Sequence, residues 1–147
     1  MVEIYTDGCC LNNPGTGSWA FVKIKDSKTV TDSGAYKEAT NQQMELKAAV
    51  MALESLEEAT EVTLYSDSKY VVDGITKWIH KWMNRNWRTS TGTQVANIEL
   101  WKELYKLTYE KGHIITWMWV KGHNGNYYNE LANNIAQDTA EQLKYSQ

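Results

Sequence analysis

The sequence is poor in the features that mark a secreted or membrane-bound protein. Its only cysteines, Cys9 and Cys10, are neighbours, which excludes a disulfide framework and a thiolate metal site. No apolar run approaches the roughly 18 residues of a membrane span. The first residues also lack the basic start and apolar stretch of a signal peptide. We therefore expect a cytoplasmic protein with free thiols and no membrane contact.

Proline is nearly absent as well, with one in 147 residues, whereas 42% of the residues are hydrophobic. A chain of this length supports one compact core and is short for two. Neither a repeat nor a low-complexity tract divides it. We expect a single domain over residues 1–147 and, because no second apolar surface is evident, a monomer.

Hydrophobic periodicity predicts a mixed α/β architecture. Three strands, at about 2–7, 17–25 and 29–36, are joined by short polar links, which favour an antiparallel meander. The rest reads as a helix at 41–58, a strand at 62–67, helices at 68–84 and 97–110, a strand at 113–120 and a helix from 129. This order predicts crossover units that add parallel strands to the meander.

Three acidic residues fall where such a sheet would bring them together. Asp7 and Asp67 end the first and fourth predicted strands, and ligands of open α/β sheets bind beyond the carboxyl ends of the strands. Either aspartate alone could equally be a turn former or a helix cap. Glu45 shares a helix face with Ala49 and Ala52, and glutamate is rarely buried unpaired. Converging carboxylates repel one another unless hard cations such as Mg²⁺ or Mn²⁺ neutralise them.

A basic and aromatic segment lies in a chain whose formal net charge is −3. Residues 74–98 contain no aspartate or glutamate, and their cations alternate with tryptophans, a pattern typical of nucleic-acid binding. We call it the basic segment, and it comprises Lys77, Trp78, Lys81, Trp82, Arg85, Trp87 and Arg88. The tryptophans could simply pack against a neighbouring helix. We expect mixed use, with some rings packed and the cations bound to a nucleic-acid strand.

Five motifs, in order over nearly the whole chain, resemble those of type 1 ribonuclease H. They are Tyr5-Thr6-Asp7-Gly8, Asn12-Asn13-Pro14-Gly15, Thr40 to Leu46, Ser66 to Val71 and Trp119 to Gly125. Each motif is weak alone, whereas the five together are specific. The resemblance implies a ribonuclease H-like α/β fold, a five-stranded mixed sheet flanked by helices. It also implies hydrolysis of the RNA strand of an RNA–DNA hybrid duplex, leaving 5′-phosphate and 3′-hydroxyl ends.

The resemblance further implies an active site with four acidic positions and two Mg²⁺ ions, with Mn²⁺ as a possible substitute. Asp7, Glu45 and Asp67 match the first three positions, with Asp7 shared between the metals and the other two on the leaving-group side. The fourth falls in the family pattern Asn-Glu-x-x-Asp, where this chain reads Asn129 to Asn133. Asn133 keeps the shape of aspartate without its charge, so we expect one metal to bind poorly and turnover to fall severely. The asparagine is either an engineered inactivating change or a natural loss.

Further residues gain a role through the resemblance alone. Asn13, Asn41 and Gln42 would reach the minor groove, where 2′-hydroxyls distinguish RNA from DNA. Asn13 could equally serve only its own turn. Thr40 and Arg85 would form a pocket for a DNA phosphate, and the basic segment corresponds to the family's basic protrusion.

A loop histidine completes the candidate site. His123 lies between Gly122 and Asn124-Gly125 and matches a family histidine that assists the nucleophile or product release. Two other functions remain compatible with these residues. One is a non-catalytic module that binds the hybrid, and the other is a nuclease of the same fold acting on another nucleic acid. The basic segment and the Thr40-Asn41-Gln42 motif favour a hybrid-cutting enzyme over the latter.

Overall fold

Five strands and five α-helices form the part of the chain that the computed structural model describes, residues 1–122 and 125–146. The strands are β1 (Val2–Cys10), β2 (Gly15–Lys25), β3 (Lys28–Ala39), β4 (Glu61–Ser66) and β5 (Ile114–Trp119). The helices are α1 (Asn41–Glu54), α2 (Lys69–Asp73), α3 (Ile79–Asn84), α4 (Ile98–Tyr109) and α5 (Tyr127–Tyr145). A π-helical turn, Gly74–Trp78, joins α2 to α3. None of these helices combines the length and the apolarity needed to cross a membrane.

The strands form one sheet in the order β3-β2-β1-β4-β5. β1, β2 and β3 pair antiparallel, whereas β4 is parallel to β1 and β5 is parallel to β4. This confirms the predicted meander followed by parallel crossover strands. In the β1–β4 register Thr6 lies opposite Ser66, so that the next residues, Asp7 and Asp67, leave the same edge of the sheet side by side.

Helices cover both faces of the sheet, as the alternation of side chains along β1 shows. Ile4 belongs to the larger core cluster, with α1 residues such as Leu46 and Leu53. Tyr5, on the opposite face, belongs to a smaller cluster with Ala132 of α5. The sheet is therefore the middle layer, and its carboxyl edge lies between α1 and the start of α5.

α1 is shorter than its sequence pattern predicts, ending at Glu54 rather than at residue 58. Ser55 closes the helix, because its N–H bonds to the carbonyl of Met51 and its hydroxyl donates to Ala52. Three glutamates, at positions 54, 57 and 58, lie near the helix end, where the macrodipole disfavours negative charge. A lysine of β2, Lys23, binds the Ser55 carbonyl at 3.3 Å and supplies the favourable charge instead.

The predicted helix over 68–84 is interrupted at its middle by the π-helical turn. A Cβ at Gly74 would overlap the ring of Trp101, a fully buried residue of α4. The helix thus widens where an indole ring packs against its backbone, and only glycine leaves room for that ring. This contact anchors the basic segment on the core.

Candidate active site and nucleic-acid interface

Three carboxylates meet at the carboxyl edge of the sheet. Asp7 lies on β1, Asp67 follows β4 and Glu45 lies in the second turn of α1. One carboxylate oxygen from each lies within 4.8 Å of the others. We call this cluster the acidic triad. The structure thus brings together the three carboxylates that sequence analysis placed in one site.

A glycine allows α1 to approach β1 closely enough for this meeting. A Cβ at Gly8 would overlap the backbone of Met44 and Glu45. In return, the Gly8 N–H donates a hydrogen bond of 2.6 Å to Oε1 of Glu45. This bond fixes the Glu45 carboxylate beside Asp7.

Asp67 is contacted by Trp119 at the end of β5 and by Gly122 shortly after it. The indole Nε1 of Trp119 donates to the Asp67 backbone carbonyl at 3.0 Å. A Cβ at Gly122 would lie 2.8 Å from Oδ2 of Asp67, so the backbone of Gly122 lies directly against the carboxylate. Lys69 places its ammonium 4.6 Å from the centre of the Trp119 ring and so brings a positive charge to this side of the site. Sequence reasoning did not single out Lys69, although its position two residues after Asp67 was a usable signal.

Burial and mutual repulsion dominate the electrostatics of the triad. Burial, followed by the charge of Asp67, raises the pKa of Asp7 from 3.8 to about 7. Burial, followed by the charges of Asp7 and Asp67, raises the pKa of Glu45 well above its usual range. Without a cation the cluster therefore retains protons that an isolated carboxyl would lose. A set of carboxylate oxygens within reach of one point suits a hard divalent ion such as Mg²⁺ or Mn²⁺.

The fourth predicted position, Asn133, is half-buried in the second turn of α5. No hydrogen bond between it and the triad occurs in residues 1–122 and 125–146. His123, the predicted proton carrier, lies outside the described residues. Neither assignment is therefore tested by the geometry.

A second asparagine of α5 was missed by sequence reasoning. Asn129 lies in the first turn, is 2% exposed, and its Nδ2 has no hydrogen-bond partner within the described chain. The neighbouring ring of Tyr128 lies 5.4 Å from that of Tyr5, which shares a sheet face with Asp7. The start of α5 thus packs on the sheet face from which the side chain of Asp7 also projects. Sequence reasoning treated Asn129 only as the first residue of the family pattern. It lies four residues before Asn133, and residues at this spacing share a helix face, so the sequence could have offered Asn129 as a second candidate.

The tryptophans of the basic segment divide into packed and exposed rings. Trp82 lies 5.1 Å, centre to centre, from Trp101 of the core, and Trp87 is partly buried against the same core. Trp78 is 37% exposed, and its ring lies 6.1 Å from that of Trp82. The cations project into solvent, and Lys77 pairs with Asp73 at 3.4 Å. The packing of Trp82 and Trp87 agrees with the part of the expectation that concerns the rings, and nucleic-acid binding by the cations stays a prediction.

The predicted groove-binding residues gather at the start of α1. Thr40 caps this helix, because its hydroxyl accepts a bond from the N–H of Gln43 at 3.2 Å. The Asn13 side chain accepts a bond of 3.2 Å from the Asn41 N–H, which joins the β1–β2 turn to the helix. Both asparagines and the neighbouring Gln42 are exposed. No hydrogen bond links Thr40 to Arg85 in the part of the chain that is described, so their shared phosphate pocket stays a prediction.

Comparisons with known proteins agree with this architecture. The RNase H family model matches residues 1–141. A ribonuclease H of Erythrobacter litoralis is 47% identical over 140 residues, covering 95% of this chain and 96% of the relative. One of Ehrlichia ruminantium is 48% identical over 136 residues, covering 92% of each chain. The crystal structure of LC9-RNase H1, a type 1 RNase H with the type 2 active-site motif, is 30% identical with a TM-score of 0.82, covering 95% of this chain and 72% of that one. The chain belongs to the RNase H family.

Proposed function

We propose that this chain is a type 1 ribonuclease H, an endonuclease that binds RNA–DNA hybrids and hydrolyses their RNA strand. The acidic triad at the carboxyl edge of the sheet is the observation that carries the proposal. Its relatives at 47% and 48% identity are named ribonuclease H, which supports the same activity here. The products would carry 5′-phosphate and 3′-hydroxyl ends.

The triad would hold divalent ions, Mg²⁺ or, as a substitute, Mn²⁺. When bound, a pair of such ions activates a water and stabilises the leaving 3′ oxygen of the scissile phosphate. Asp7 would be shared between the ions, and Glu45 and Asp67 would serve the leaving-group side. The Gly8 N–H keeps Glu45 oriented, and the contact with Gly122 limits the movement of Asp67. His123 would move a proton near the nucleophile or assist product release.

An asparagine of α5 would occupy the fourth acidic position and lower the activity. The sequence pattern favours Asn133, whereas burial favours Asn129, whose Nδ2 has no hydrogen-bond partner within the described residues. We infer that Asn129 is the occupant, because a buried polar atom without a partner is costly and points to a site shaped for another group. Its amide offers one ligating oxygen and no charge, so the nucleophile-side metal would bind weakly.

Single reversions test both the activity and the assignment. In a Mg²⁺-dependent cleavage assay on a hybrid, Asn129→Asp should raise the rate by about tenfold to a hundredfold or more. Asn133→Asp should raise it less, and Asn134→Asp, which adds the same charge to an exposed position of α5, should leave it unchanged.

The outcomes separate the rival functions. A gain with Asn133→Asp alone would restore the assignment made from the sequence. If all variants bind the hybrid and none cuts it, the chain is a binding module rather than an enzyme. Preferential cleavage of a substrate other than the hybrid would favour a nuclease of different specificity.

The basic segment would bind the DNA strand of the hybrid. Replacing Lys81, Arg85 and Arg88 together by alanine should weaken binding and reduce the slope of log affinity against log salt concentration by roughly two to three. A matched control removes three exposed lysines outside the basic segment, Lys25, Lys28 and Lys111, which should leave the slope unchanged. An unaltered slope in the first variant would contradict the assignment.

A further inference from the structure

A lysine lies over an indole ring on the β5 side of the acidic triad. Trp119 ends β5, and its Nε1 bonds to the backbone carbonyl of Asp67 at 3.0 Å, which fixes the ring relative to the triad. Lys69, the first residue of α2, places its ammonium 4.6 Å from the centre of that ring. A cation over the face of an indole is attracted by the ring quadrupole. The positive charge therefore has a defined place beside Asp67.

This ammonium is held in place without being neutralised. Among residues 1–122 and 125–146, Lys69 forms neither a hydrogen bond nor an ion pair, which leaves its three N–H donors available to a ligand. The lysine is exposed, and the Trp119 ring that holds it is 42% exposed. A side chain that is already ordered loses less rotamer freedom when it binds. The pair thus presents an ordered, unpaired cation to solvent.

The charge balance around the triad favours a phosphate as the ligand of this cation. The proposed function places the scissile phosphate at the triad, where carboxylates repel a nucleic-acid backbone unless cations offset their charge. The cations of the basic segment would bind the DNA strand. Lys69 lies two residues after Asp67, so its charge acts where the RNA strand would pass.

The strand order places Lys69 on the opposite side of the triad from the groove-binding asparagines. Asn13, in the turn between β1 and β2, bonds to Asn41 at the start of α1. In the sheet, β2 lies on one side of the β1–β4 pair that carries the aspartates, and β5 lies on the other. A duplex with its minor groove on the asparagines and its RNA strand on the triad would therefore bring the backbone of that strand to Lys69.

We propose that Lys69 binds a phosphate of the RNA strand close to the scissile one, and that Trp119 positions its ammonium. The inference rests on the proposed function, because it names a contact of the same hybrid at the same site. Lysine contacts a phosphate as a point charge and reads no base, so the contact strengthens the binding of every sequence alike. Lys69 thus adds affinity through the RNA strand, separately from the basic segment.

Hybrid binding at several salt concentrations, with Ca²⁺ in place of Mg²⁺, tests the proposal. Lys69→Gln should weaken binding by about threefold to tenfold and reduce the slope of log affinity against log salt concentration by roughly one. Lys69→Arg keeps the charge over the ring and should retain most of the affinity and the slope. The matched control is Lys144→Gln, because Lys144 also lies over a ring, 5.6 Å from the centre of Tyr145, but at the C-terminal end of α5. It should change neither quantity.

Neutral linkages in the hybrid identify the strand that Lys69 contacts. In a series of short hybrids, one methylphosphonate replaces a single phosphate of the RNA strand. At one position this linkage should weaken binding of the native chain and should not weaken binding of Lys69→Gln any further, because the contact is already lost. A purely structural role of Lys69 would make the two losses additive at every position. The same series in the DNA strand should weaken both proteins equally.

Failure of this proposal is distinguishable from failure of the proposed function. If the native chain binds the hybrid and Lys69→Gln binds it with the same affinity and slope, the proposal is overturned and the function stands. Coupling confined to the DNA strand has the same meaning. A native chain that does not bind the hybrid overturns both. Because Lys69 is exposed, Lys69→Gln should keep the native melting temperature, and Lys69→Ala repeats the test if it does not.

Discussion

Replacing Asp7 by asparagine tests how strongly the triad destabilises the metal-free fold. Asp7 is 3% exposed, and its pKa is raised from 3.8 to about 7. One pKa unit corresponds to about 1.4 kcal/mol, so ionised Asp7 lowers the free energy of unfolding by up to about 4 kcal/mol. Because the folded-state pKa is the higher one, this loss begins above about pH 4 and is complete once the pH exceeds about 7. Asparagine at this position stays neutral at every pH and therefore avoids this loss of stability.

We therefore expect metal-free Asp7→Asn protein to be more stable than the native chain at about pH 8, with the difference vanishing towards about pH 4. Urea unfolding in the presence of a chelator measures the free energy of unfolding of each protein at each pH. Asp138→Asn removes an exposed carboxylate of α5 and should have little effect at either pH. An Asp7→Asn variant that is less stable at the higher pH, or whose gain does not depend on pH, would refute the electrostatic reasoning.

Three other substitutions probe the supports of the site. Gly74→Ala should lower the free energy of unfolding, measured in urea, by about 1–3 kcal/mol, because the new methyl group would overlap the ring of Trp101. Adding Trp101→Leu to this variant should recover part of the lost stability, because the smaller side chain leaves room for the methyl group. Thr40→Ala should lower the free energy of unfolding by about 1 kcal/mol, because it removes the N-terminal cap of α1, whereas Thr40→Ser should retain the cap and the stability. Gly8→Ala should displace Glu45 from the triad and weaken Mn²⁺ binding, as measured by calorimetry. Unchanged Mn²⁺ binding would contradict the role of Gly8 in positioning Glu45.

The sheet and the triad were accessible from the sequence because their determinants are local. Alternating apolar residues define β1 and β4, and parallel strands carry residues at their carboxyl ends to one edge. Asp7 and Asp67 could therefore be placed together without coordinates. Glu45 followed from its position on the apolar face of a predicted helix.

Other features depend on contacts between distant parts of the chain. The π-helical turn at Gly74 arises from the ring of Trp101, which no local pattern of α2 reveals. The support of Asp67 by Trp119 depends on the pairing of β4 with β5. The choice between two asparagines of α5 needed the observed helix start, which Asn126 fixes by capping the N–H of Asn129.

The central claim is that Asp7, Glu45 and Asp67 form a divalent metal site that acts on a nucleic-acid backbone. Anomalous scattering from a crystal soaked with Mn²⁺ and an uncut RNA–DNA hybrid tests it most directly. We predict a strong peak between the three carboxylates, with a phosphate of the RNA strand beside it. Manganese found only elsewhere, or a hybrid bound away from these residues, would contradict the account.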